Sequence, residues 1–144
     1  MARGFAYKGP AYGRDDRCPI CPWCIADGSA HARLGLHFTH PSTLEELPRQ
    51  VQEEVAFRTP GFMGWQEQRW QVCCGDAAAF MGFIGEKEIR ALGQEVEEAV
   101  GRVHALSGAK LDRYISLLHV DSNAFAVLFR CHHCGRYLAY EDCA

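Results

Sequence analysis

Ala124-Phe125-Ala126-Val127-Leu128-Phe129-Arg130-Cys131-His132-His133-Cys134-Gly135-Arg136-Tyr137-Leu138-Ala139-Tyr140 holds two apolar runs around a Cys-x-x-Cys-Gly turn. The run from Ala124 to Phe129 carries no charge, and its length and aromatic content suit a buried strand. Tyr137 to Tyr140 forms the second strand candidate. A Cys-x-x-Cys turn places two sulfurs on one side of a loop, where both reach one tetrahedral Zn²⁺ at about 2.3 Å. Gly135 follows the second cysteine, where such a turn needs a positive φ. The stretch therefore predicts a β-hairpin closed by a zinc knuckle.

A second pair lies far upstream, at Cys21-Pro22-Trp23-Cys24. The chain has eight cysteines in 144 residues. Met1 to Phe5 shows no apolar core of a secretory signal, so the cytoplasm is the expected compartment. Thiols there stay reduced, and metal ligation becomes the leading use for paired cysteines. The expectation is one Zn²⁺ joining Cys21 and Cys24 to Cys131 and Cys134. Cys74 is the replacement ligand beside Cys131 and Cys134 if the two pairs serve separate sites. Cys73 and Cys74 are adjacent, and consecutive side chains diverge in an extended strand, so only one of them is expected to face a metal. Cys18 makes an overlapping pair with Cys21. His132 and His133 sit inside the knuckle and are expected to point away from the ion.

Working outward, the fold class is α+β, expected as one domain over residues 1–144 with helices and short hairpins around one or two zinc knuckles. Ile89, Leu92, Val96, Ala99, Val100 and Val103 recur at helical spacing and predict a core-facing helix from Glu86 to His104. A shorter helix carries Leu111, Tyr114, Ile115 and Leu118. Pro48 opens a helical piece through Val51 and Val55, whereas Pro19 and Pro22 are expected to prevent a helix around Cys21. The aromatics between Phe62 and Phe83, Trp65 included, are expected to fill the core.

Several function classes are disfavoured. The net charge is -3 and no basic run is present, which argues against nucleic acid. No apolar run is long enough to span a bilayer. The chain lacks the His-x-Glu and Pro-Cys-x-x-Cys elements of the zinc deaminases, the phosphate-binding glycine loops and the Gly-x-Ser-x-Gly elbow. Cys21 and Cys24 imitate a dithiol redox motif, but no hydrophobic strand precedes them. The leading expectation is a non-enzymatic zinc protein whose partner is another protein. The alternatives are an enzyme using Asp27, Arg58, Trp65 and Asp76 on a small-molecule substrate, or a nucleic-acid-associated zinc module.

Four strings stand in a characteristic order. They are Cys21-Pro22-Trp23-Cys24-Ile25-Ala26-Asp27-Gly28-Ser29; Arg58-Thr59-Pro60-Gly61-Phe62 leading to Gly64-Trp65-Gln66; Gly75-Asp76-Ala77 with Phe80; and Cys131 to Tyr140. Together they resemble the CbrC-like family, small bacterial proteins that include a colicin-tolerance protein. The resemblance implies a bacterial cytoplasmic protein without an assigned enzymatic activity, and a link to survival of a bacterial toxin. That family carries a further cysteine cluster upstream of the segment matching Ala2-Arg3-Gly4. It often has histidine at the position of Cys73, which implies that Cys73 or Cys74 lies near a metal.

Overall fold

The structure is a computed structural model that describes residues 4–13 and 18–144. The chain folds as two compact units, Met1–Met63 and Gly64–Ala144. Both mix helices with short antiparallel pairings or bridges, which makes the architecture α+β.

The first unit holds α1 (Pro22–Ala26), α2 (Ser29–Leu34), a 3-10 turn (Pro41–Leu44) and α3 (Arg49–Arg58). Helix α1 corrects the expectation that prolines exclude a helix here. Pro22 occupies its first turn, where a missing N–H costs nothing and the fixed φ suits the helix. Gly28 is the N-cap of α2, and Asp27 before it accepts a hydrogen bond from the Ser29 N–H at 2.8 Å in an Asx turn. Ile20, Ile25, Ala30, Leu36 and Phe38 form the unit's core, with Tyr7 set edge-on to Phe38.

The second unit begins with the two-residue strands β1 (Val72–Cys73) and β2 (Asp76–Ala77). It continues through β3 (Ala79–Ile84), α4 (Glu86–Leu92), α5 (Gln94–Arg102) and α6 (Gly108–Ile115) to β4 (Ala124–Arg130) and β5 (Tyr137–Cys143). The last three strands make one antiparallel sheet in the order β3-β4-β5. Strand β4 is central and buried on both faces. Ala126 and Leu128 face a cluster supplied by Ile89, Val96, Ala99, Val100, Leu111, Ile115 and Leu118. Phe125 and Phe129 take part in an aromatic layer with Trp70, Phe80, Phe83 and Tyr140.

The helix expected over 86–104 is two helices. Gly93 has φ 92° and ends α4 while serving as the N-cap of α5. Only glycine enters that backbone region readily, so the break is encoded in one residue. Ile89, Val96, Ala99 and Val100 are buried on both sides of the break, whereas Leu92 and Val103, expected on the same stripe, lie at the helix ends and are exposed. Trp65 also departs from expectation: its side chain is largely exposed, at 59%. Its backbone is what is held. The buried Asp142 carboxylate accepts N–H hydrogen bonds from Trp65 at 2.8 Å and Gln66 at 2.9 Å. Among the described residues, no helix is long and apolar enough to cross a membrane.

Candidate metal centre

The sheet register places two turns side by side. Ala79 at the start of β3 pairs with Arg130 at the end of β4, immediately before Cys131. The β1–β2 hairpin precedes β3 by one residue, Ala78, whose N–H returns to the Gln71 carbonyl at 2.9 Å. The hairpin turn and the β4–β5 turn therefore share one end of the sheet.

Four sulfurs converge there. Those of Cys73, Cys74, Cys131 and Cys134 all lie within 4.8 Å of one another. The Cys73–Cys74 and Cys73–Cys134 separations are 3.8 and 3.7 Å. A tetrahedron with Zn–S bonds of about 2.3 Å has edges of about 3.8 Å. The spacing matches that edge, and four cysteine thiols are the donor set of a closed zinc site. The four cysteines can hold a metal ion.

Local backbone chemistry explains why both adjacent cysteines contribute. Val72 pairs with Ala77 and Cys73 with Asp76, which leaves Cys74-Gly75 as a two-residue hairpin turn. Both turn residues have positive φ, 55° and 70°. That is the signature of the tight turn favoured in β-hairpins. The divergence of consecutive side chains holds in an extended strand. Here the chain reverses between Cys73 and Cys74, and both sulfurs reach the cluster. Cys74 is one of two described non-glycine residues with positive φ, a conformation that costs roughly 1–2 kcal/mol.

The opposite turn is tied by the Gly135 N–H to the Cys131 carbonyl at 3.1 Å, with Gly135 at φ 72°. The His133 N–H donates to the Cys131 sulfur at 3.4 Å. The Cys134 N–H is the largest influence that holds the Cys131 thiol down to about 6. Cys73 moves the other way, pushed up to about 12 chiefly by hydrogen bonding with the Cys131 and Cys134 thiols. Without a cation the cluster favours one thiolate and resists the next. A divalent ion removes that conflict by balancing the charge that keeps the other thiols protonated.

His133 does point away from the sulfurs, as expected. Its Nε2 meets Asp76 Oδ2 at 2.8 Å and so joins the two turns from outside. This contact is the main cause that keeps the Asp76 carboxyl below its ordinary range.

Cys131, Cys134 and Cys74 thus meet as candidate ligands, and Cys73 joins them. Cys21 and Cys24 lie in the first unit, their sulfurs 2.8 Å apart at the start of α1. The second unit reaches four donors from its own cysteines. The residues of the alternative enzyme reading are engaged locally. Asp27 accepts from the Ser29 N–H, Arg58 Nε donates to the Ala26 carbonyl at 3.0 Å, and Asp76 binds His133 and the Ala77 N–H. Trp65 projects outward.

The sequence matches the profile described as Uncharacterised protein family (UPF0167) over residues 1–143. UPF0167 proteins of Mycobacterium bovis and Mycobacterium tuberculosis are each 41% identical over 147 residues, covering 99% of this chain and 79% of the relative. A UPF0167 protein of Pseudomonas aeruginosa is 39% identical over 139 residues, covering 94% of this chain and 78% of its own. No solved structure matches. With almost the whole chain matched, the protein belongs to the uncharacterised family UPF0167.

Proposed function

We propose that this is a bacterial cytoplasmic zinc protein that acts by binding another protein, not by catalysis. One observation carries the reading: the donor set of the second unit is complete at four thiols, with spacing suited to tetrahedral coordination. A catalytic zinc keeps a position for water or substrate, whereas a four-thiolate shell closes it. The ion then stabilises the fold and leaves recognition to the surface. The exposed Trp65 side chain of the second unit is suited to such contact. The resemblance of the four ordered strings to the CbrC-like family supports a role near toxin tolerance within this reading.

The test is metal analysis followed by cobalt substitution. The purified chain should retain at least one zinc through dialysis. Cobalt in its place should give the visible d–d bands of a tetrahedral four-thiolate centre. A five-coordinate or water-exchanging spectrum from cobalt held by Cys73, Cys74, Cys131 and Cys134, read in a Cys21→Ser/Cys24→Ser protein, would move the reading to an enzyme. Zinc far below one per chain, in protein never exposed to chelator, would end it.

A further inference from the structure

We propose that Cys18, Cys21 and Cys24 form a second metal site in the first unit, for zinc or a similarly soft divalent ion, with one coordination position left open. The inference goes beyond the four-cysteine centre and uses none of its ligands.

Three observations carry it. First, the Cys21–Cys24 turn repeats the hydrogen bonding of the Cys131–Cys134 knuckle. In each, the N–H groups two and three residues after the first cysteine point to its sulfur. The Cys24 N–H lies 3.4 Å from the Cys21 sulfur, the same distance as His133 N from the Cys131 sulfur. Such a turn stabilises a thiolate and directs two sulfurs outward together. Second, Cys18 lines the same cleft of about 140 Å³ as Cys21 and Cys24. Three thiols around one small cavity form a soft donor set, which selects zinc-like ions over magnesium or calcium. Third, Arg33 stands on the cleft wall. Three thiolates with a divalent ion carry one net negative charge, and the guanidinium balances it.

The site differs in kind from the other centre. Cys18 is exposed, and Cys21 and Cys24 are half-buried. Among the described residues, the three thiolates leave the fourth tetrahedral position to water or an exogenous donor. The sulfurs of Cys21 and Cys24, now 2.8 Å apart, must part by about 1 Å to span the edge of a zinc tetrahedron. Cys18 must turn inward as well, because among the described residues the Cys73, Cys74, Cys131 and Cys134 group is the one whose donor atoms already lie within 4.8 Å of one another; side-chain rotation at the cleft rim supplies both movements. The product is an accessible ion that exchanges, beside a closed one that does not.

The experiment is a zinc titration of the full chain with a chelator chase, on wild type, Cys21→Ser/Cys24→Ser and Cys131→Ser. Wild type should bind two zinc ions and surrender one first. The Cys21→Ser/Cys24→Ser protein should lose that first ion and keep the cobalt spectrum of the remaining centre. Cys131→Ser should lose the slow ion instead. One zinc in wild type, lost only in Cys131→Ser, overturns this inference and leaves the proposed function standing. One zinc lost only in Cys21→Ser/Cys24→Ser does the reverse, and one zinc lost in both variants overturns the separate site. Thiol footprinting on wild type needs no variant. Zinc should protect Cys18, Cys21 and Cys24 from alkylation. Equal labelling with and without zinc, or isolation of Cys21 and Cys24 as a disulfide without metal, also overturns the proposal.

Discussion

Replacing Cys131 by serine tests the four-cysteine centre most directly. Cys131 is 4% exposed, the one buried member of its cluster, and its sulfur accepts two backbone N–H groups. Serine preserves the shape but offers a hydroxyl that stays protonated and binds zinc poorly. Structural zinc contributes about 10–16 kcal/mol to the folding of small domains at neutral pH. Spread over four ligands, the loss of one thiolate costs about 3–4 kcal/mol. That corresponds to a zinc affinity roughly 100- to 1,000-fold weaker. For a domain of this size the melting temperature falls by roughly 12–30 °C. Competition against a chromogenic chelator reads the affinity, and a circular-dichroism melt of the zinc-loaded protein reads the stability. A Cys131→Ser protein with full zinc content and an unchanged melting temperature would show that this turn is not a metal site, and would remove the basis for the function proposed above.

Acid should release zinc, because every ligand must be a thiolate. The Cys131 thiol, depressed from its ordinary 9.0 to about 6 without metal, favours coordination above that value, and the benefit is lost as pH falls through it. Zinc release followed from neutral pH downward should therefore steepen near pH 6, and an affinity flat across that range would contradict the assignment. Gly93→Ala should destabilise by about 1–3 kcal/mol even though alanine is the better helix former, because φ there is 92°; urea denaturation giving a more stable variant would refute the two-helix reading. Asp142→Ala should cost about 2–4 kcal/mol by stripping two backbone N–H groups of their acceptor. An Asp142→Ala midpoint within error of wild type would show that water satisfies those groups.

The closing hairpin was readable because its signals are local. Ala124 to Phe129 has no polar interruption, and the knuckle and Gly135 fix the reversal. The place of Cys73 was not readable from side-chain alternation, which applies to extended chain. The missed signal was Cys74-Gly75 as a two-residue turn flanked by Val72 and Ala77, a pairing that brings both sulfurs to one end. The helix over 86–104 was read as continuous because Ile89, Val96, Ala99 and Val100 keep helical spacing across the break. Helical spacing records which residues face the core, not whether the backbone between them is unbroken. Pro22 misled for a related reason: the residue that stops a helix in its interior starts one at its first turn. Trp65 was assigned to the core by its bulk, yet its position is set through its backbone by Asp142, a partner 77 residues away.

The register that brings Ala79 opposite Arg130 also closes the loop between the two cysteine pairs. Cys73 and Cys131 are 58 residues apart in sequence, and the segment between them contains α4, α5 and α6. In an unfolded chain each cysteine pair can grip an ion with two sulfurs, but joining the pairs means closing that long loop, at about 4 kcal/mol of chain entropy. Pairing of β3 with β4 closes the same loop. We predict that sheet pairing closes the loop first, so that four-fold coordination follows it and the metal enters as a late clasp. Its signature would be kinetic: zinc should slow unfolding far more than it speeds folding.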